Sequence, residues 1–315
     1  MNGPAPLPFP HAGEAFSLGA AVVWAFAVIL LRASGDRVPP LALNTFKNAL
    51  ALLLLLVTMA ALGRPLFPAV AGADVLVLIA SGVLGLAVAD TLFLAGLNRL
   101  GAGRAAIVDC LYSPFMFLCA AALLGEAIPP WTFVALWLVV LAVLVGAEQG
   151  PTGEAPRAAG PTSRGQLLLG ILLGAGAMLV MSVGIILARP VLQRTDLLWA
   201  VAVRLAAGAL APALVALASA RHRADLRRAF TPSPAWRVTL PAAFVGTYLS
   251  MIFWVGGMKY TGHAAVSAIL NQTSTLFTLV LATVILRERL TLRRVIAIGL
   301  GIAGALLATL PGAPV

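Results

Sequence analysis

The sequence predicts an all-α membrane protein, with ten transmembrane helices arranged as two inverted five-helix repeats. Three observations carry that expectation. The 315-residue chain is 61% hydrophobic and only 10% charged, with a mean hydropathy of +1.01. That is more apolar side chain than a soluble domain can hide behind so little charge. Ten long apolar stretches lie between Ala15 and Leu310, most of them close to the roughly 20 residues that cross a hydrocarbon core. The last five stretches resemble the first five in order. Backbone groups in lipid must be satisfied within their own segment, so the stretches are helices rather than strands.

The spans fall near 15–32, 40–62, 74–97, 104–125, 130–147, 166–188, 197–219, 238–258, 263–286 and 293–310. Residues 1–14 (MNGPAPLPFPHAGE) are Pro-rich and read as a disordered tail; they hold no Lys or Arg, so no basic signal region precedes the first span. Residues 15–147 form the first repeat and 166–310 the second. Between them, residues 148–165 are rich in Gly, Pro and polar residues and read as a linker. A short tail, 311–315, closes the chain.

The repeat is visible in register. Val28, Ile29, Leu30, Leu31 and Arg32 in the first span match Ile185, Ile186, Leu187, Ala188 and Arg189 in the sixth, and the same offset lays Lys47 over Arg204. Further on, Leu124-Gly-Glu126 matches Leu286-Arg-Glu288. The offset there pairs Ala106 with Ala268, Asp109 with Asn271, Ser113 with Thr275 and Phe115 with Phe277. An odd number of spans in each half makes the halves cross in opposite senses, the arrangement that gives two related conformations.

The net charge of +10 does not point to nucleic acid, because most Arg residues sit in short loops between spans. Loops after the odd-numbered spans carry fifteen basic residues and the other side carries four, Arg64, Arg189, Arg194 and Lys259. The positive-inside rule then places both termini outside. Cys110 and Cys119 lie on opposite faces of the fourth span and belong to no CxxC or His cluster, so neither a disulfide nor a metal site is expected.

The five-span unit used twice, the basic residue in each second helix (Lys47, Arg204), Trp24 in the first helix, Pro114 in the fourth and the Leu-x-Glu turns at Leu124–Glu126 and Leu286–Glu288 together resemble an EamA-type transporter of the drug/metabolite transporter (DMT) superfamily. The resemblance covers essentially the whole chain. It implies a multi-pass protein of a cell membrane, the inner membrane in a bacterium, which moves small metabolites such as amino acids by alternating access. It also implies that the first four helices of each repeat surround a cavity while the fifth packs outside. Two departures stand out. Thr275-Leu276 replaces Ser113-Pro114 in the second repeat, so a kink there is one-sided. Family members are drawn with both termini in the cytoplasm, against the charge count.

Charges inside spans are costly and each needs a reason. Lys47, Asp90 and Asp109 lie at similar distances from ends that meet one membrane face, so they are expected to share a depth. They form either a buried pair that locks the first repeat or a binding and proton-relay cluster. Arg204 has no acid in its neighbourhood in sequence. It could reach headgroups, bond to backbone carbonyls, or take a substrate carboxylate or phosphate with its planar donor fork. Ser267, Asn271, Ser274, Thr275 and Thr278 share one face of the ninth span, and Asp109, Tyr112 and Ser113 repeat that stripe in the fourth. The stripes serve either as a cavity wall or as interhelical hydrogen bonds. Trp24 and Trp254 lie well inside their spans, where they stack on substrate or pack. Trp131, Trp199 and Trp236 near span ends read as interface anchors.

Gly299-Leu-Gly301-Ile-Ala-Gly304 fits GxGxxG, but no strand precedes it, so a nucleotide site is not expected. Gly170 and Gly174 permit close helix approach and could make a homodimer face. The expected partners are a small-molecule substrate, the lipid bilayer and protons, with no cofactor. The competing class is an intramembrane enzyme acting on lipid or peptide. It lacks HExxH, its three His lie in the tail or loops, and only Asp90 with Asp109 could supply an acid–base pair.

Overall fold

The structure is a computed structural model that describes residues 11–125, 131–147, 164–260, 264–285 and 291–308. Glu126, Glu288, most of the linker and most of each tail lie outside the described residues. Among those described, secondary structure is helical throughout. Among the described residues the apolar helices follow the expected order: α1 (Ala12–Gly35), α2 (Pro40–Ala61), α3 (Gly72–Leu100), α4 (Ala102–Asp109 and Tyr112–Leu124), α5 (Trp131–Ala147), α6 (Arg164–Arg194), α7 (Leu197–Leu217), α8 (Trp236–Tyr260), α9 (Ala264–Ile285) and α10 (Leu292–Ala308). Seven are long and apolar enough to cross a membrane: α1, α2, α3, α4, α6, α7 and α8. The apolar stretches of α5, α9 and α10 are shorter. One helix was not expected, the basic segment Ala220–Phe230 between α7 and α8.

Local chemistry sets the boundaries. Pro40 opens α2 at a position where no backbone N–H is needed. The Asp196 side chain caps α7 by accepting from Trp199 N at 3.1 Å. Gly101, at φ 77°, turns α3 directly into α4. The α4 helix breaks at Cys110–Leu111, immediately before Pro114, whose ring cannot coexist with the carbonyl four residues earlier. In the second repeat Leu276 stands in place of Pro114 and α9 runs unbroken, so the kink is one-sided as expected.

The two repeats exchange partners. In the first repeat α1 packs on α8 and α9; in the second, α6 packs on α3 and α4. The repeat-related pairs α2 with α7 and α5 with α10 pack on each other. The repeat mates α2 and α7 run in opposite directions. Arg64, just past the end of α2, lies 3.7 Å from Asp196 at the start of α7, while Phe46 near the start of α2 meets Phe230, beyond the end of α7, with ring centroids 5.2 Å apart.

A π-helical stretch interrupts α3 at Val83–Ala89 and α8 at Phe244–Leu249. The two stretches stand in register in the repeat, which pairs Gly85 with Gly246, Asp90 with Met251, Phe93 with Trp254 and Gly96 with Gly257. π-turns release backbone carbonyls from the helical ladder. In α3 those of Leu86 and Ala87 are taken up by α2: Asn44 Nδ2 donates to them at 2.7 and 3.1 Å, and Asn48 Nδ2 donates to Leu86 O at 3.2 Å and to Gly208 O of α7 at 3.0 Å.

The repeat-related corners differ in strength. Arg194, the mate of Arg37, bonds Asp74 through two nitrogens, while Arg37 reaches only the Pro234 carbonyl at 3.5 Å. Lys259 donates to the Leu192 and Thr195 carbonyls at 3.0 and 2.5 Å; its mate Asn98 reaches the Gly35 carbonyl at 3.4 Å.

Two expectations are corrected. Trp199 is buried at 7% exposure within the packed core rather than at an interface, because its ring points inward from the start of α7. The outward-facing Trp is Trp137 on α5, 73% exposed. Gly170 and Gly174 face Leu100, Gly96 and Val108 of the same chain, so that pair is spent on the α6–α3 and α6–α4 contacts and not free for a second copy.

Small residues let backbones touch. A Cβ at Gly82 would sit 2.5 Å from the Arg204 carbonyl oxygen and 2.9 Å from its Cα. Neither backbone atom can swing aside, so Gly82→Ala is expected to cost about 1–3 kcal/mol, read as a lower thermal unfolding midpoint of the detergent-purified protein.

Candidate functional site

A cavity of about 880 Å³, its open mouth included, lies between the repeats. Residues of α1, α2, α3, α4, α6, α7, α8 and α9 line it, and none of α5 or α10 does. Four charges meet in this wall: Lys47, Asp90, Asp109 and Arg204. Of the other expected site residues, Trp24, Tyr112, Trp254, Asn271, Ser274 and Thr275 also line it. Ser113 does not; it is fully buried behind the wall, one helical step from Tyr112.

Lys47 and Asp90 form a short ion pair, both largely buried. Lys47 Nζ also donates to Asn48 Oδ1 at 3.4 Å. This pair ties α2 to the first residue after the π-stretch of α3. Asp109 is not part of it. Its carboxylate instead lies beside the Trp24 indole, and no salt bridge to it is present among the described residues. Trp24 in turn stacks on Phe93, centroids 5.5 Å apart. The expected three-charge cluster is therefore a pair plus a separately held acid, because the break of α4 just after Asp109 turns that residue toward α1.

Arg204 is the most unusual side chain. It is fully buried, at 0% exposure, and all three guanidinium nitrogens lack a hydrogen-bond partner among the described residues. It bonds no carbonyl among the described residues. Its Cζ lies 5.6 Å from the centroid of the Trp254 ring, a cation–π contact that offers electrostatic relief but no acceptor. Asp90 and Tyr112 lie within electrostatic reach. Two further buried donors are unsatisfied on the same wall, the Tyr112 hydroxyl and Asn271 Nδ2. Buried orphan donors are expensive and rare; three residues converging on one cavity form a site with a surplus of donors, suited to an anionic oxygen.

The helix 9 stripe divides by function. Ser267 faces away from the cavity and bonds Ser17 of α1 at 2.9 Å, and Thr275 lies 3.9 Å from the Cys110 sulfur while still touching the cavity. The rest of the wall is large and soft: Met178, Met181, Met251, Trp24 and Trp254. Such side chains adapt to an apolar group of varied shape. Both cysteines are free and buried, and no group of three metal-ligating side chains is found among the described residues. The sequence reading passed over Asn44 and Asn48. Their spacing of four within an apolar span, two amides on one helix face, was the available signal.

A bundle of apolar helices in two exchanged halves, with a charged cavity between them, defines a multi-pass membrane protein of the repeat-built class. The chain belongs to the EamA-like transporter family, whose model matches residues 11–146 and 168–310. No curated protein matches it significantly. Among solved structures, one crystal structure is similar at 18% identity and a TM-score of 0.64, covering 94% of this chain and 96% of the other; at that identity the likeness speaks to the fold alone.

Removing one member of a buried ion pair strands the other, at a cost of about 3–5 kcal/mol, whereas replacing both with apolar residues costs far less. Lys47→Leu is expected to lower the unfolding midpoint strongly, and Lys47→Leu with Asp90→Leu to recover most of the loss. Circular dichroism melts of the three proteins check this.

Proposed function

We propose that the protein is a secondary transporter with ten spans in two inverted five-helix repeats. It moves a small zwitterion or organic anion, an amino acid or a relative of one, across a cell membrane by alternating access, in a bacterium across the inner membrane. The single observation that carries the substrate class is the fully buried Arg204 guanidinium without an acceptor on the cavity wall. A substrate carboxylate supplies the missing acceptor through the guanidinium fork, assisted by the Tyr112 hydroxyl. Asp109, which has no cation of its own, receives the ammonium of a zwitterion. The Trp and Met surfaces take the apolar remainder.

The antiparallel course of α2 and α7 and the exchanged packing support the inverted arrangement, since inverted halves can swap conformations and so present one cavity to either side. Asp109 is also the carboxylate placed to carry a coupling proton, because it lines the cavity beside the Trp24 indole and has no ion pair among the described residues. An intramembrane enzyme finds no support in this cavity, where the one acid pair available, Asp90 with Asp109, is split by the bond of Asp90 to Lys47.

Proteoliposomes test the reading. Labelled zwitterionic amino acids are expected to accumulate, and Arg204→Ala to cut the initial rate at least tenfold, as loss of a charge-assisted hydrogen bond of about 1.5–3 kcal/mol implies. Equal flux in the variant removes Arg204 from the mechanism. With an imposed pH gradient, wild-type uptake is expected to respond and Asp109→Asn uptake not to; a response preserved in the variant assigns the proton elsewhere.

A further inference from the structure

The cavity wall is built from repeat-related pairs, and one pair differs in a way that decides its charge. Lys47 and Arg204 are mates in α2 and α7. In register with the π-stretches, Asp90 of α3 has Met251 of α8 as its mate. Both members of both pairs line the cavity. In the first repeat the acid at 90 bonds the cation at 47 and neutralises it inside the protein. In the second repeat the corresponding position holds a thioether, and the corresponding cation has no hydrogen-bond acceptor among the described residues. Met251 sits one turn before Trp254, the residue whose ring lies by the Arg204 guanidinium, so it occupies the same helix face. The Met251 side chain is itself buried, at 9% exposure, so solvent does not take the acid's place.

We infer that Met251 is the residue that sets charge selectivity: by withholding the carboxylate that its mate Asp90 supplies, it leaves Arg204 for a ligand's carboxylate. The inference rests on the proposed role of Arg204 and adds what keeps that residue available. One of two related cation sites is filled from within and the other from outside, so the cavity takes one carboxylate at a time. A carboxylate at position 251 reaches toward Arg204 as Asp90 reaches toward Lys47, and closes the second site as well.

The test uses the full chain purified in detergent and three probes of one shape: 3-phenylpropionate, phenethylamine and phenylalanine. Ligand-induced shifts of the unfolding midpoint give apparent affinities. Met251→Asp is expected to weaken 3-phenylpropionate at least tenfold and to leave phenethylamine no weaker. It should also raise the ligand-free midpoint, since it pairs a buried charge that is otherwise unpaired. Met251→Glu repeats the pairing with a longer reach. Met251→Asn adds polarity without charge and is expected to keep the preference for the carboxylate probe over the ammonium probe. Undiminished 3-phenylpropionate affinity in Met251→Asp, or a ligand-free midpoint below wild type in both acidic variants, including their failure to fold, overturns the inference. Arg204→Ala separates the two levels. If it loses the carboxylate probe while Met251→Asp keeps it, only the role of Met251 falls. If Arg204→Ala binds as wild type does, the assignment of the anion site falls.

Discussion

The free-energy cost of a charge in a low-dielectric interior orders this molecule. Lys47, Asp90, Asp109 and Arg204 lie within the helices that pack into its core, and all of them are gathered on one cavity wall. Lys47 and Asp90 hold each other, and Asp109 lies beside the Trp24 indole with no ion-pair partner among the described residues. The fourth, Arg204, gives the cavity its chemistry, because nothing in the described protein accepts its hydrogen bonds. The fold tolerates this debt only where a ligand can enter.

Packing of small residues makes that arrangement possible. Gly82 lets α3 press on the Arg204 backbone, Gly208 lets α7 press on Leu86, and Gly184 brings α6 against Gly85. The π-stretch of α3 is the point where these approaches converge, and its released carbonyls are held by Asn44 and Asn48. Its counterpart in α8 lies against Ala27 and Leu31 through Gly246. Repeat-related π-stretches, both bordering the cavity, place the least regular backbone of each half beside the ligand space. The stronger polar contacts at the Arg194 and Lys259 corners, compared with those at Arg37 and Asn98, make one end of the bundle more firmly tied than the other.

Much of this was legible in the sequence. Helix positions followed from apolar length, and the register of the repeat placed Lys47 over Arg204 and Asp109 over Asn271 before any contact was known. Pro114 foretold a one-sided break in α4 because proline acts on the backbone locally. The ion pair of Lys47 with Asp90 was one of two arrangements the shared depth allowed; choosing between them required the rotation of each helix, which composition does not carry. The π-stretches had no signal of their own, since they arise from how α3 and α8 fit against neighbouring helices. Trp199 was misplaced for a related reason: distance from a span end describes depth and says nothing of the direction in which a ring points. The Ala220–Phe230 helix was read as a basic loop because its charge pattern overshadowed its helical spacing.

The central claim is that a ligand carboxylate completes the hydrogen bonding of Arg204. A structure of the protein with 3-phenylpropionate bound tests it most directly. The account predicts the carboxylate oxygens at about 2.7–2.9 Å from the guanidinium nitrogens, with the phenyl ring against the Trp and Met side chains of the wall. A probe bound elsewhere in the bundle, with the guanidinium paired to a protein carboxylate or carbonyl, would contradict it.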